Sequence, residues 1–179
     1  RFAAEEVEIL SRFADLAAIA LENADLYSRL QAELQEKQQV EAKLRDSEQR
    51  YRSVFENTGT GTVLSEQDTT LSMVNQGFAD LVGYAREEIE GRLKWTELVD
   101  PADHERMLQI HYRRRKDPAA APTSFECGLI DRSGRRRDVM LKVDLIPGTT
   151  TSVGSFTDIT PLKKAEQNLR KYQQMVTSS

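Results

Sequence analysis

A single cysteine, Cys127, is all the thiol chemistry this 179-residue sequence holds. One cysteine excludes an intramolecular disulfide and favours a reducing compartment, so a cytoplasmic protein is expected. Apolar runs are short: none reaches the roughly 18–20 residues that span a bilayer, and no basic segment followed by an apolar one opens the chain. No membrane segment is expected in this stretch. The common catalytic signatures are missing too, with no Gly-rich phosphate loop, no Gly-x-Ser-x-Gly elbow, no His-Glu-x-x-His and no Cys-x-x-Cys pair. Catalytic residues and metal ligands are therefore not expected, and catalysis would have to lie beyond Ser179. A formal net charge of −4 gives no ground for general nucleic-acid binding.

Proline and glycine are absent from residue 3 to residue 55, and this stretch is dense in Ala, Leu, Glu, Gln, Lys and Arg. These strong helix formers predict one helix, or two end to end, about 75 Å long at 1.5 Å per residue. No single small core can cover that length. Leu10, Phe13, Ala17, Ala20, Ala24 and Tyr27 form one stripe, with Ile9, Leu16 and Ile19 on a neighbouring face. A second stripe runs Leu26, Leu30, Glu33, Lys37, Val40, Leu44, Ser47, Tyr51 and Val54 at coiled-coil spacing. Its polar seam positions predict a weak, adjustable pairing.

From Asn57 onward glycines and short β-rich runs replace the helical pattern. Strands are expected at Gly61–Ser65 and Thr69–Val74 around the turn Glu66-Gln67-Asp68. Asn75 should cap a short helix Gln76–Val82 that Gly83 ends. A further short helix is expected at Arg86–Ile89, then Trp95, Leu98 and Val99 as apolar anchors. Asp100 and Pro101 open a helix to Lys116 whose buried side is expected to be Met107, Leu108 and Ile110–Tyr112. Two strands follow, with Phe125, Cys127 and Leu129 alternating on one and Val139, Leu141, Val143 and Leu145 on the other. The basic runs Arg113–Lys116 and Arg135–Arg137 read as solvated faces, with the grasp of an anionic ligand or partner as the alternative.

The last strand, Val153–Ile159, runs straight into a helix through Thr160 as N-cap and Pro161 at its first turn. Leu162, Ala165, Leu169, Tyr172 and Val176 then recur at steps of three and four, the seam of a coiled coil. The whole reads as α+β: a five-stranded antiparallel sheet with short helices on one face, flanked by a long N-terminal helix and a C-terminal coiled-coil helix. Because the sequence starts at Arg1 and stops in Thr177-Ser178-Ser179, it is expected to be a piece of a longer protein. Glu166–Arg170 echoes Glu41–Arg45, as tandem modules on one helical spine would.

Two resemblances refine this reading. Phe2–Leu10 and Phe13–Tyr27 look like the last helix of a GAF domain running into its linker. Val74-Asn75, Phe78, Leu81, Gly83-Tyr84, Glu87–Ile89, Gly91, Pro101-x-Asp103, Phe125-Glu126, Asp131–Gly134, Gly154 and Asp158-Ile159-Thr160 together resemble a PAS sensory domain, of the kind found in sensory-box and histidine kinase proteins. The organisation implied is residues 1–30 as the end of a GAF domain, 31–50 as a coiled-coil signalling linker, 51–161 as PAS, and 162–179 as the start of an output helix. The resemblance implies a cup that takes a small, largely apolar molecule, for which Phe78, Leu81, Trp95, Met107, Phe125, Cys127, Leu141 and Val143 are the candidate lining. It also makes Asp158, Ile159 and Thr160 the transmission point to the outgoing helix. A homodimer through the flanking helices is expected, with a downstream output domain in the same chain. That output is a histidine kinase of a bacterial two-component system, or alternatively a diguanylate cyclase; a third alternative is a ligand-free dimerisation relay. No obligatory cofactor is expected. Flavin-cysteine photochemistry needs an Asn-Cys-Arg motif on a helix, whereas Cys127 lies in a strand. Haem would need an axial histidine, for which His111 is the one positional candidate and the less favoured reading. His104-Glu105-Arg106 resembles a kinase phosphoacceptor box, but it falls at the helix start of the PAS pattern.

Overall fold

The computed structural model describes residues 4–177, with side chains described over residues 8–175. Arg1, Phe2, Ala3, Ser178 and Ser179, and the side chains of residues 4–7, Val176 and Thr177, lie outside the described residues. The chain divides into two units, Arg1–Tyr51 and Arg52–Ser179.

The glycine-free and proline-free stretch is one uninterrupted helix, α1 (Ala4–Glu56). Both stripes read from the sequence are solvated in the single chain, with Leu10, Phe13, Leu26, Leu30, Val40 and Leu44 all more than half exposed. The outgoing helix α6 (Thr160–Thr177) likewise leaves Leu162, Leu169, Tyr172 and Met175 exposed. At the base of α1, Val54 is exposed while Phe55 is buried, so the side chain buried there is the neighbour of the last seam position.

The second unit is built on β1 (Gly61–Ser65), β2 (Leu71–Val74), β3 (Ser124–Ile130), β4 (Arg136–Leu145) and β5 (Ser152–Asp158). They form one antiparallel sheet in the order β2-β1-β5-β4-β3. Between β2 and β3 the chain makes α2 (Gln76–Val82), α3 (Arg86–Ile89), α4 (Trp95–Leu98) and α5 (Pro101–Lys116), then a 3-10 turn Pro118–Ala120. The register sets Val63 opposite Gly154, Leu141 opposite both Phe125 and Phe156, and Val139 opposite Cys127. A period of two then places these residues on one face. The core cluster joins that face to Phe78, Ile89, Trp95, Leu98 and Met107 from the helices. Phe78 and Phe156 meet with ring centroids 5.0 Å apart. Phe78 is about 1% exposed, and truncating such a ring costs about 3–5 kcal/mol.

Several elements differ from the sequence reading. Strand β2 starts at Leu71 rather than Thr69, because Thr69 adopts φ 76° and Thr70 bridges to Lys94. A β-branched residue in the left-handed region is strained, and it turns the chain out of the sheet. Strand β5 spans Ser152–Asp158, one residue earlier at each end than expected. Trp95–Leu98 is a helical turn, α4. On α5 the buried residues are Met107, His111 and Arg114, whereas Tyr112 is 60% exposed.

Candidate functional site

The sheet's inner face and the helices enclose a cavity of about 50 Å³. Of the residues expected to line a cup, Phe78, Trp95, Met107, Phe125, Leu141 and Val143 surround this cavity. Leu81 and Cys127 are not in its wall: Leu81 is half-buried at the edge of the core, and Cys127 is buried one pair of residues along β3 from Phe125. Burial pushes the Cys127 thiol up to about 12, with the Asp103 carboxylate adding to the effect. It is thus a packed, protonated side chain.

The candidate lining left out the polar part of this wall, although His111 was expected on the buried side of α5 and the Arg113–Lys116 run had an anionic ligand as its alternative. His111, Arg114, Arg115, Ser65 and Ser152 also line the cavity. Arg114 is only 2% exposed, so the reading of Arg113–Lys116 as a solvated face fails for half of the run. Its guanidinium donates to the Pro122 carbonyl. Arg115 holds three elements together. Its Nη2 donates to the Glu66 carbonyl at 3.2 Å, the Thr150 carbonyl at 3.0 Å and Ser152 Oγ at 3.2 Å, while Nη1 donates to His111 Nδ1 at 2.9 Å. The C-terminal end of α5 is thereby tied to the β1–β2 turn and to the β4–β5 hairpin. The signal for this was the helical period: Met107, His111 and Arg114 recur at steps of four and three and share one face.

Those bonds determine the state of His111. A guanidinium can only donate, so Nδ1 accepts; the Gln67 carbonyl can only accept, so Nε2, 3.0 Å from it, carries the proton. The ring is neutral. Burial holds its pKa below the ordinary value, and the adjacent Arg115 and Arg114 charges push the same way. With both ring nitrogens engaged and about 50 Å³ of space, the site does not fit a haem with His111 as axial ligand. Among the described residues no group of three or more His, Cys, Asp or Glu side chains is arranged to hold a metal ion, and no helix is long and apolar enough to cross a membrane.

Two junctions flank the cup. At the incoming one, Asn75 is 1% exposed and caps α2 by accepting from Phe78 N–H at 2.9 Å. The same oxygen accepts from Thr62 N–H at 2.7 Å, and Nδ2 donates to the carbonyls of Phe55 at 3.0 Å and Thr60 at 2.9 Å. One amide thus joins the end of α1, the following loop, β1 and α2. Beside it Glu56 pairs with Arg86 at 2.7 Å.

At the outgoing junction the N-terminus of α6 is capped by Asp158, whose Oδ1 accepts from Thr160 N–H at 2.9 Å. Thr160 was expected to do this; its hydroxyl instead engages the backbone of Asp138 on β4, and Ile159 N–H donates to the Asp138 carbonyl at 2.9 Å. Lys163 pairs with Glu126 at 2.6 Å and Arg137 with Asp158 at 3.5 Å. The Arg135–Arg137 run is ion-paired as well, with Arg136 lying 3.0 Å from Asp100. His104, by contrast, sits in the first turns of α5 and lines no part of the cavity.

Residues 49–117 match the model of the PAS domain family. Among characterised proteins the chain is similar to the methyl sulfide methyltransferase-associated sensor of Methanosarcina acetivorans, 29% identical over 165 residues that make up 90% of this chain and 15% of that protein. It is also similar to the sensor histidine kinase TmoS of Ectopseudomonas mendocina, 26% identical over 141 residues, 76% of this chain and 14% of that one. The chain therefore spans about one seventh of the length of these relatives. In fold it resembles the PAS domain of an HTR-like protein from Haloarcula marismortui, with a TM-score of 0.53 at 22% identity, covering 68% of this chain and 99% of that one.

Proposed function

We propose, from the premise that this chain carries a PAS domain, that it is the sensory and relay module of a multidomain signalling protein. In this reading a small ligand occupies the cavity, and its presence changes how the sheet holds α6, which leads to an output domain, a histidine kinase, further along the same chain. The observation that carries the reading is continuity. Leu141 and Val143 line the cavity on β4, and the same strand presents Asp138 to Thr160 at the start of α6. Displacement of β4 by a ligand is felt within three residues at the helix that leaves. A ligand can act this way only through different affinities for the two arrangements of the sheet.

Residues 1–30 are read as the end of a GAF domain, 31–50 as linker, 51–161 as PAS and 162–179 as the beginning of the output helix. The exposed stripes of α1 and α6 are then covered by a second copy of this chain, giving a homodimer. Their spacing supports this, as does the exposure of Leu162, Leu169 and Tyr172 in the single chain.

The decisive experiment is Asp158→Ala in the full-length protein. Loss of the cap should uncouple autophosphorylation from ligand while ligand affinity stays within about twofold of the parent. A large loss of affinity would place Asp158 in the binding site or the folding core and would overturn this account of transmission.

A second reading, a ligand-free relay, is favoured by the small size of the cavity, about 50 Å³. There the same residues fill the core, and conformational change passes through α1 to the output. Leu44→Pro should then alter output while the PAS core stays folded; unchanged output would sink it.

A further inference from the structure

Arg114 and Arg115 are an unusual pair of groups to find in the wall of a mostly apolar cavity. Neither lies within 4.0 Å of a carboxylate oxygen among the described residues. Asp144 and Glu66 are near enough to favour the two charges but not near enough to pair with them. Arg114 is satisfied only by the Pro122 carbonyl. Arg115 Nε is the one buried side-chain nitrogen or oxygen among the described residues left without a hydrogen-bond partner. Arg114 is buried and Arg115 half-buried, and both are held only by neutral partners, carbonyls, a hydroxyl and the neutral His111 ring, so their charges have no anionic partner in an apolar setting.

We infer that the cavity binds a short-chain monocarboxylate of two or three carbons, its carboxylate on Arg115 and Arg114 and its alkyl end against Phe78, Leu141 and Phe156. The inference deepens the sensory reading above and rests on it. Guanidinium groups match the planar geometry of a carboxylate and give charge-assisted hydrogen bonds. Ser65 and Ser152 supply further hydroxyls at the polar end of the wall. Size sets the chain length, since about 50 Å³ is a third of the roughly 150 Å³ that admits benzene. A phosphate ion would meet the same cations but would leave the aromatic part of the wall without a partner. Binding would also draw Arg115 donors away from the Glu66 and Thr150 carbonyls, loosening the clasp between the β1–β2 turn and the hairpin that begins β5. Strand β5 ends at Asp158, so the ligand's charge would act on the strand that caps the outgoing helix.

The test uses the 179-residue chain and its single tryptophan, Trp95, which lines the cavity. Sodium propionate, propionamide and sodium chloride are titrated at matched ionic strength, following Trp95 fluorescence and the thermal midpoint. Propionate should give a saturable fluorescence change and a raised midpoint. Propionamide should bind at least about tenfold more weakly, the loss expected for removing a charged hydrogen-bond partner. Arg115→Gln, with unchanged circular dichroism, should weaken propionate by about ten- to a hundredfold. Gly154→Ala leaves both arginines intact and places a methyl 3.4 Å from Leu141, Phe156 and Val63, so it should narrow the cavity and weaken propionate without unfolding the sheet. Equal binding of propionate and propionamide would overturn the carboxylate assignment while leaving a ligand-binding cup standing. No saturable response to propionate, or a response also given by chloride, would overturn it too. Both comparisons use the unaltered chain and so do not depend on either variant folding.

Discussion

Thr160 and Asp138 exchange two hydrogen bonds: the Asp138 N–H donates to Thr160 Oγ1 at 2.9 Å, and that hydroxyl donates to the Asp138 carbonyl at 3.3 Å. Through this pair the first residue of α6 completes the backbone bonding of a β4 residue that does not finish its ladder with another strand. The helix start is thus part of the sheet's hydrogen bonding. Any change in the twist of β4 near Leu141 must either carry α6 with it or break these bonds.

Thr160→Val keeps the shape and removes the hydroxyl. The Asp138 amide should lose protection in hydrogen exchange, and global stability should fall by about 1 kcal/mol, the typical worth of one such bond. Asn75-linked amides at Thr62 and Phe78, at the other junction, should be unaffected. Protection at Asp138 equal to the parent's would show that the hydroxyl does not hold the junction.

Asn75→Ala should be more damaging. It removes the side-chain cap of α2, strands the Thr62 N–H in a buried site and takes one bond each from the Phe78 N–H and the Phe55 carbonyl. The combined cost is about 2–4 kcal/mol, readable as a lower urea midpoint with an unchanged slope. A change under about 0.5 kcal/mol would mean that water replaces the amide without penalty.

Acid should weaken the fold through His111. Its folded pKa lies below the ordinary 6.5 because burial and the neighbouring Arg115 and Arg114 charges oppose protonation. Between the two values the unfolded chain binds more protons, so stability rises with pH there. The contribution is complete above about pH 6.5 and is lost as pH falls through that value toward the folded pKa. His111→Gln can keep a donor for Gln67 and an acceptor for Arg115 without titrating. Urea titrations at several pH values should show a shallower acid slope in this variant; an identical slope would assign the effect elsewhere.

Cys127 should resist alkylation. With its thiol pushed up to about 12 and its side chain buried, native protein should react with iodoacetamide far more slowly than protein in urea. Labelling of the native chain at the denatured rate would mean that β3 opens freely.

Local rules alone made much of the molecule legible. The absence of proline and glycine from residue 3 to 55 sufficed for α1, Asn75 and Gly83 bracket α2, and Asp100 with Pro101 opens α5 where expected. Alternation on β3 and β4 placed Phe125, Leu141 and Val143 on one face, which is why they reappear around the cavity. These features depend on backbone preference and on a period of two or 3.6, both of which act within a few residues.

What the sequence could not show is where charge would be buried. Arg114 and Arg115 look like any basic helix end, and Tyr112 looks like a better core residue than either. Their burial depends on the β1–β2 turn, the Pro122 carbonyl and the β4–β5 hairpin arriving from 8 to 49 residues away with acceptors in place. The same holds for Thr160, whose hydroxyl could cap its own helix or bond to β4. Only the sheet, by bringing Asp138 within 2.9 Å, settled the choice. The sequence by itself determined most of the elements, their order and most of the apolar half of the cup. Tertiary structure decided its polar half and both junctions, because hydrogen-bond partners distant in the chain are chosen by packing and leave no periodic trace.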